Sequence, residues 1–130
     1  MIHFNRFVGM ALTLGIVGCA AISEPPMRPN YGPEPSRAEA ARLSIEYLKP
    51  LLKDPDSLKQ FDIVSVRQMQ YFNGAWESGF RVCFEYNAKN SYGAYGGLAH
   101  GGLIARCESP DKCIRYSDGG SIETDRCLAR

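Results

Sequence analysis

Charge of one sign is missing from this chain: 15 lysines and arginines face 14 aspartates and glutamates in 130 residues. A near-neutral chain with scattered charge has no electrostatic footprint for nucleic acid and no basic stripe for anionic lipid. Histidine is scarce, with two in all, and no cysteines stand at the Cys-x₂₋₄-Cys spacing of a zinc site. No Gly-x-Gly-x-x-Gly or Walker pattern occurs, which excludes the usual nucleotide cradles. A Gly-x-Ser-x-Gly elbow is absent too, and no carboxylate pair stands out as acid and base. The N-terminal uncharged run, residues 7–22, falls short of the ~20 residues that a spanning helix needs. Neither metal nor cofactor is expected.

What that run does look like is an export signal. Residues 1–6 carry one cation, Arg6, residues 7–17 are apolar, and the small residues Gly18, Cys19, Ala20 and Ala21 mark a cleavage site. An uncleaved membrane anchor is the competing reading, and the run's glycines and shortness count against it. Ile16-Val17-Gly18-Cys19 resembles the lipobox of bacterial lipoproteins. The resemblance implies that residues 1–18 are removed and that Cys19 carries diacylglyceryl and amide-linked acyl chains. Several chains give lasting attachment, since each buried CH₂ adds ~0.8 kcal/mol and one chain alone is marginal. Ala20 rather than aspartate follows the cysteine, which implies outer-membrane delivery, with the domain facing the periplasm. The membrane is thus an expected partner through lipid on Cys19.

Composition changes after Ile22. Five of the eight prolines are Pro25, Pro26, Pro29, Pro33 and Pro35. Proline fixes φ and removes an amide donor, so residues 19–35 read as an extended tether rather than helix or central strand. At ~3.1 Å per residue in polyproline II, the stretch reaches roughly 50 Å. Residues 36–130 then form a single small domain with a modest core.

Cysteine usage agrees with export. Besides Cys19 there are Cys83, Cys107, Cys113 and Cys127, an even number in a small exported domain, which favours two disulfides. Three pairings are open. A Pro110-Asp111 turn between Cys107 and Cys113 favours joining those two across antiparallel segments, and Cys83–Cys127 then follows.

The domain is expected to be α+β: one N-terminal helix packed on a small antiparallel sheet of about four strands, disulfide-stapled. Ser36-Arg37-Ala38-Glu39 is a capping-box pattern. Ala41, Ile45, Leu48 and Leu52 follow on one face, with Glu39, Arg42, Glu46, Lys49 and Lys53 mostly on a solvated one. Pro50 interrupts the helix, and Asp54-Pro55 offers a stop or a new start. Residues 61–72 read as a strand whose two faces are both mixed, so its register is open. Asn73-Gly74 is a hairpin turn with Trp76 at its tip. The partner strand is clear: Phe80, Val82, Phe84 and Tyr86 point one way, and Arg81, Cys83, Glu85 and Asn87 the other. Residues 103–107 and 112–116 read as two further short strands.

Between the second and third strands lies a stretch rich in glycine, asparagine and tyrosine. Asn87, Lys89, Asn90, Tyr92, Tyr95 and His100 are its candidate binding residues, suited to a protein or glycan of the envelope. The plainer reading stands beside it: the asparagines and glycines serve turns and the tyrosines cover the core. Residues 48–57 together with 83–95 resemble small exported bacterial and phage-borne proteins of unknown function, which carry an LKDPDS helix end and a CGEVNAKNSYGGY strand and loop. This chain departs from that pattern at Phe84, where glycine is expected, and by its downstream cysteines. The resemblance implies kinship and no chemistry. The expected function is a lipid-anchored envelope lipoprotein with a non-catalytic binding or structural domain. The alternatives are a small hydrolase with Cys83 as nucleophile and His100 as base, or a phage-derived exclusion lipoprotein.

Overall fold

A computed structural model describes residues 23–72, 74–117 and 127. The signal, the lipobox and Cys19 lie outside the described residues, as does most of the tail after Ser117. Helix α1 (Arg37–Leu48) is followed by short 3₁₀ turns at Lys49–Leu51 and Pro55–Ser57 and by strands β1 (Lys59–Phe72), β2 (Trp76–Asn87), β3 (Ala99–Ser109) and β4 (Lys112–Ser117). The strands form one antiparallel sheet in the order β1-β2-β3-β4, with α1 packed on one face. The expected class, one helix on a four-stranded antiparallel sheet with two disulfides, is what the chain adopts.

Ser36 caps α1, its Oγ accepting from the Glu39 amide at 3.2 Å. The reciprocal half of the capping box is not made. Ser36 donates its own amide to the Pro110 carbonyl at 2.7 Å and bonds Asp111 through Oγ, so the helix start is fixed to the β3–β4 turn. Pro50 ends the helix as its missing donor requires. The buried stripe is Ala40, Leu43, Ser44 and Leu48; of the expected face Leu48 is buried, Ala41 and Leu52 pack partly buried beside the core, and Glu39 belongs to the buried stripe instead of to the solvated face. The physical reason is that this face includes polar groups satisfied locally. Ser44 Oγ donates to the Ala40 carbonyl at 2.8 Å, so burying it costs little.

Glu39 meets the β4 edge of the sheet. Its Oε1 accepts from the Cys113 amide at 2.9 Å, and both its oxygens accept from Arg42 at 2.7 Å. Arg42 also reaches the Cys113 carbonyl at 3.4 Å. Cys113 faces Cys107 across a pair in which its backbone groups point outward, so α1 supplies side chains where a fifth strand would supply amides.

Strand β1 carries an extra residue, Val64, between the pairs Ile63↔Phe84 and Ser65↔Cys83. A bulge reverses which side chains face the core. Phe61 and Ile63 face α1 before it, and Val66 does so after it, while Met69 is buried on the other face beside Gly79. That reversal is why neither alternating set looked apolar. Phe84 fills the centre of the core, fully buried, with its ring lying on Gly101 of β3.

The second face carries a polar row across all four strands. Glu77 accepts from Tyr71 at 3.2 Å, from Tyr116 at 2.5 Å and from Arg106 at 3.2 Å. Both phenols are held above their ordinary range, Tyr71 chiefly by burial and Tyr116 by its bond to the carboxylate. Cys83 bonds Cys127 on this face, and Cys107 bonds Cys113 between adjacent strands. Each bridge contributes ~2–4 kcal/mol, the shorter loop toward the lower end.

The described part of the proline-rich stretch, residues 23–35, is mostly exposed and touches the domain at a few points. Trp76 Nε1 donates to the Ser23 carbonyl, and Gln70 donates to Pro26 at 3.3 Å. Tyr31 packs on Phe80 with ring centroids 6.4 Å apart, and Pro35 is buried. Proline blocks regular structure but leaves carbonyls free to accept, so the stretch binds through side-chain donors.

Two expected outcomes follow from this packing. Gly101→Ala places a Cβ against Cζ of the Phe84 ring, closer than van der Waals contact. It should lower unfolding stability by about 1–3 kcal/mol in denaturant titration, and Phe84→Leu in the same chain should recover part of the loss. Glu39 is lowered from 4.5 to about 2, first by Arg42 and then by the Cys113 amide. A depressed carboxyl stabilises the fold above the unfolded value and loses that contribution as pH falls from 4.5 to about 2. The melting temperature of wild type should therefore exceed that of Glu39→Gln near neutrality, and the gap should close across that acid window.

Candidate functional site

Residues 88–98 join β2 to β3 at the end of the sheet remote from the β1–β2 turn. The loop is held by its own polar groups. Asn90 Oδ1 accepts from the Tyr92 amide at 2.9 Å and the Ala94 amide at 3.2 Å. The Asn90 amide donates to the Ala94 carbonyl at 2.8 Å, and Gly93, at φ +78°, returns its amide to the Asn90 carbonyl at 3.0 Å. An asparagine that ties down two amides fixes a turn that generic residues would leave open.

The loop's base is fastened to the 3₁₀ turn at Pro55–Ser57. Ser57 Oγ accepts from the Lys89 amide at 2.9 Å and donates to the Asp54 carbonyl at 2.7 Å. Tyr95 bridges back to Lys89 in antiparallel fashion, and its hydroxyl donates to the Ser57 carbonyl at 3.1 Å. Lys59 Nζ lies 3.5 Å from the Tyr95 ring centroid, a cation–π contact, with Lys89 farther off at 6.0 Å. Ser57 and Lys59 were not legible as loop partners, because about thirty residues separate them from it and the pattern that includes both Ser57 and the loop implies no contact between them.

The six residues singled out from the sequence therefore divide. Lys89, Asn90, Tyr92 and Tyr95 are gathered in the loop, with different tasks. Tyr92 is 94% exposed at the apex, whereas Tyr95 is an anchor. Asn87 is buried at the end of β2, donating to Gln60 Oε1 at 2.8 Å, while its Oδ1 has no hydrogen-bond partner. His100 is not a loop residue: it stands in β3, exposed, opposite Glu85. Strand β3 begins at Ala99, with Gly101 admitting the Phe84 ring close to its backbone and Gly102 paired with Cys83, and two glycines in sequence resemble a loop more than a strand.

A second concavity, a groove of about 600 Å³, lies between the end of α1 and β4, lined by Glu46, Tyr47, Leu51, Ile114 and Arg115 among others. Arg115 stacks on the Tyr47 ring with its guanidinium 4.8 Å from the centroid. Among the described residues no three histidine, cysteine or acidic side chains cluster to hold a metal ion. The sulfur of Cys83 is bonded to Cys127, so the thiolate required by a Cys83/His100 hydrolase is not there to attack. Among the described residues no helix is long and apolar enough to cross a membrane.

Compared with known protein families, with curated proteins and with solved structures, the chain matches none. The reading of the site rests on its own geometry: one outward aromatic face on a fastened loop, flanked by glycine backbone and the half-exposed Leu98.

The geometry separates the two tyrosines by experiment. Tyr92→Ala should change unfolding stability by less than about 0.5 kcal/mol, as an exposed side chain without partners does. Tyr95→Ala should cost about 1–2 kcal/mol through the lost hydroxyl bond and cation–π contact. Equal effects from the two in thermal melts would contradict the assignment.

Proposed function

We propose that this chain is a lipid-anchored envelope lipoprotein, attached through Cys19 and facing the periplasm from the outer membrane, whose domain is a non-catalytic binding module. Residues 88–98 are its contact surface, with Tyr92 as the leading side chain and an envelope protein or glycan as partner. The observation that carries this is the pairing of full exposure with fixed geometry at Tyr92. A tyrosine offers a large amphipathic face with few torsions to freeze, and a loop already ordered by Asn90 loses little further entropy on binding. Tyr95 is tied to Ser57 and Lys59, whereas Tyr92 stands in solvent.

Support for the anchor comes from the lipobox resemblance, and support for an oxidising compartment comes from the two disulfides. The disulfide at Cys83 counts against the hydrolase alternative, as does the placement of His100 in a strand.

Cys19→Ala should move the protein from membranes to the soluble fraction or leave it unprocessed, and unchanged acylation and fractionation would overturn the lipoprotein reading. For the contact surface, a photoreactive phenylalanine analogue at position 92 should yield a discrete envelope adduct in living cells. The same analogue at Val64, exposed on the first strand, should not. Tyr92→Ala should weaken that partner's binding about tenfold, the scale of a central aromatic contact.

A further inference from the structure

The end of the sheet opposite the Tyr92 loop has a composition that the contact surface does not use. At the β1–β2 turn, Phe72 and Trp76 form a cross-strand pair, their rings meeting edge to face with centroids 5.6 Å apart. Phe72 is 48% exposed, and Met27, beside the docked Pro26, is 97% exposed. Phe72 and Trp76 belong to the face of the hairpin on which α1 packs, at the end of the sheet where residues 23–35 cross it. Charge there is balanced: Glu24 and Arg28 are both exposed on the docked stretch. Glu77, the acidic neighbour of Trp76, faces the other way and is occupied by Tyr71, Tyr116 and Arg106.

Chain length then decides where this tip stands. Trp76 Nε1 holds the carbonyl of Ser23, and only Ala20, Ala21 and Ile22 separate Ser23 from Cys19. Four Cα steps at ~3.6 Å each give a reach of at most about 14 Å. With that hydrogen bond made, the tip lies within this reach of the anchor residue.

We propose that the β1–β2 tip, with Trp76, Phe72 and Met27, is a lipid-contact surface that seats the domain on the bilayer interface beside its acylated cysteine. The proposal rests on lipidation of Cys19. Aromatic side chains with one polar end settle at the headgroup level, where ring and N–H are both accommodated. The covalent anchor raises the local concentration of membrane at the tip, so weak apolar contact suffices. Orientation follows from β2. Its twelve residues run from Trp76 at the membrane to Asn87, about 36 Å away at ~3.3 Å per residue. The Tyr92 loop is thereby aimed away from the lipid, toward whatever lies in the periplasmic space.

Trp76 is the chain's only tryptophan, so its emission reports the tip alone. Lipidated full-length mature protein is reconstituted in phosphatidylethanolamine–phosphatidylglycerol vesicles with acyl chains brominated near the headgroup, after intact-mass analysis for acylation. Emission should fall by about half relative to unbrominated vesicles, as expected for an indole at the interface. Phe72→Ser with Met27→Ser should weaken that quenching while the protein stays attached. Acylated protein whose emission is unquenched overturns the proposal and leaves the lipoprotein reading standing, whatever covers the tip instead, a second copy included. Protein lacking acyl chains removes both readings together, and the mass spectrum tells the two failures apart.

Discussion

The carboxylate of Glu39 is the constraint on which the arrangement of helix and sheet depends. It is nearly enclosed, accepts the amide of Cys113 and is paired with Arg42, so one side chain of α1 supplies an acceptor to the last strand. Removing a carboxylate from water is costly, and what offsets the cost is that the Arg42 guanidinium and the Cys113 amide both donate to it. Register follows from this contact. It sets how α1 lies on the sheet, places Ala40 and Leu43 over the core and leaves Ser36 against the β3–β4 turn. The Cys107–Cys113 bridge secures the same strand from the other side, which makes β4, short as it is, a fixed edge.

That frame gives the molecule two unlike ends. At one, the hairpin tip gathers aromatic and apolar side chains beside the docked leader. At the other, asparagine and serine fasten a loop that holds one tyrosine in water. The sheet between them is stiffened on its second face by Cys83–Cys127 and by the Tyr71–Glu77–Tyr116 row. A rigid spacer with an apolar end and a polar, aromatic end suits a module that stands between a membrane and a partner.

Phe84 shows how the two levels of description meet. As a letter it is a departure from the pattern of the exported proteins that this chain resembles. In the fold it is paired with Gly101, whose missing side chain is the room that the ring occupies. A large residue on one strand and none on its neighbour amount to one packing unit. Gly101 therefore reads as strand once Phe84 is seen above it, and as loop before that.

Local chemistry alone determined much of this protein. The Ser36 cap, the stop at Pro50, the alternation of β2 and the turn between Cys107 and Cys113 are all short-range, so the letters sufficed for helix and hairpin and favoured the Cys107–Cys113 bridge, while Cys83–Cys127, 44 residues apart, was decided by the fold. What tertiary structure decided was everything set by partners distant in the chain. The bulge at Val64 inverts β1 through its pairing with β2, and Glu39 turns inward because Cys113 needs an acceptor. Tyr95 and Tyr92 part ways because only one of them reaches Ser57. The proline stretch docks because Trp76 and Gln70 offer donors to its carbonyls. Propensity and periodicity act over a few residues, whereas hydrogen-bond satisfaction and close packing are settled only when remote segments meet.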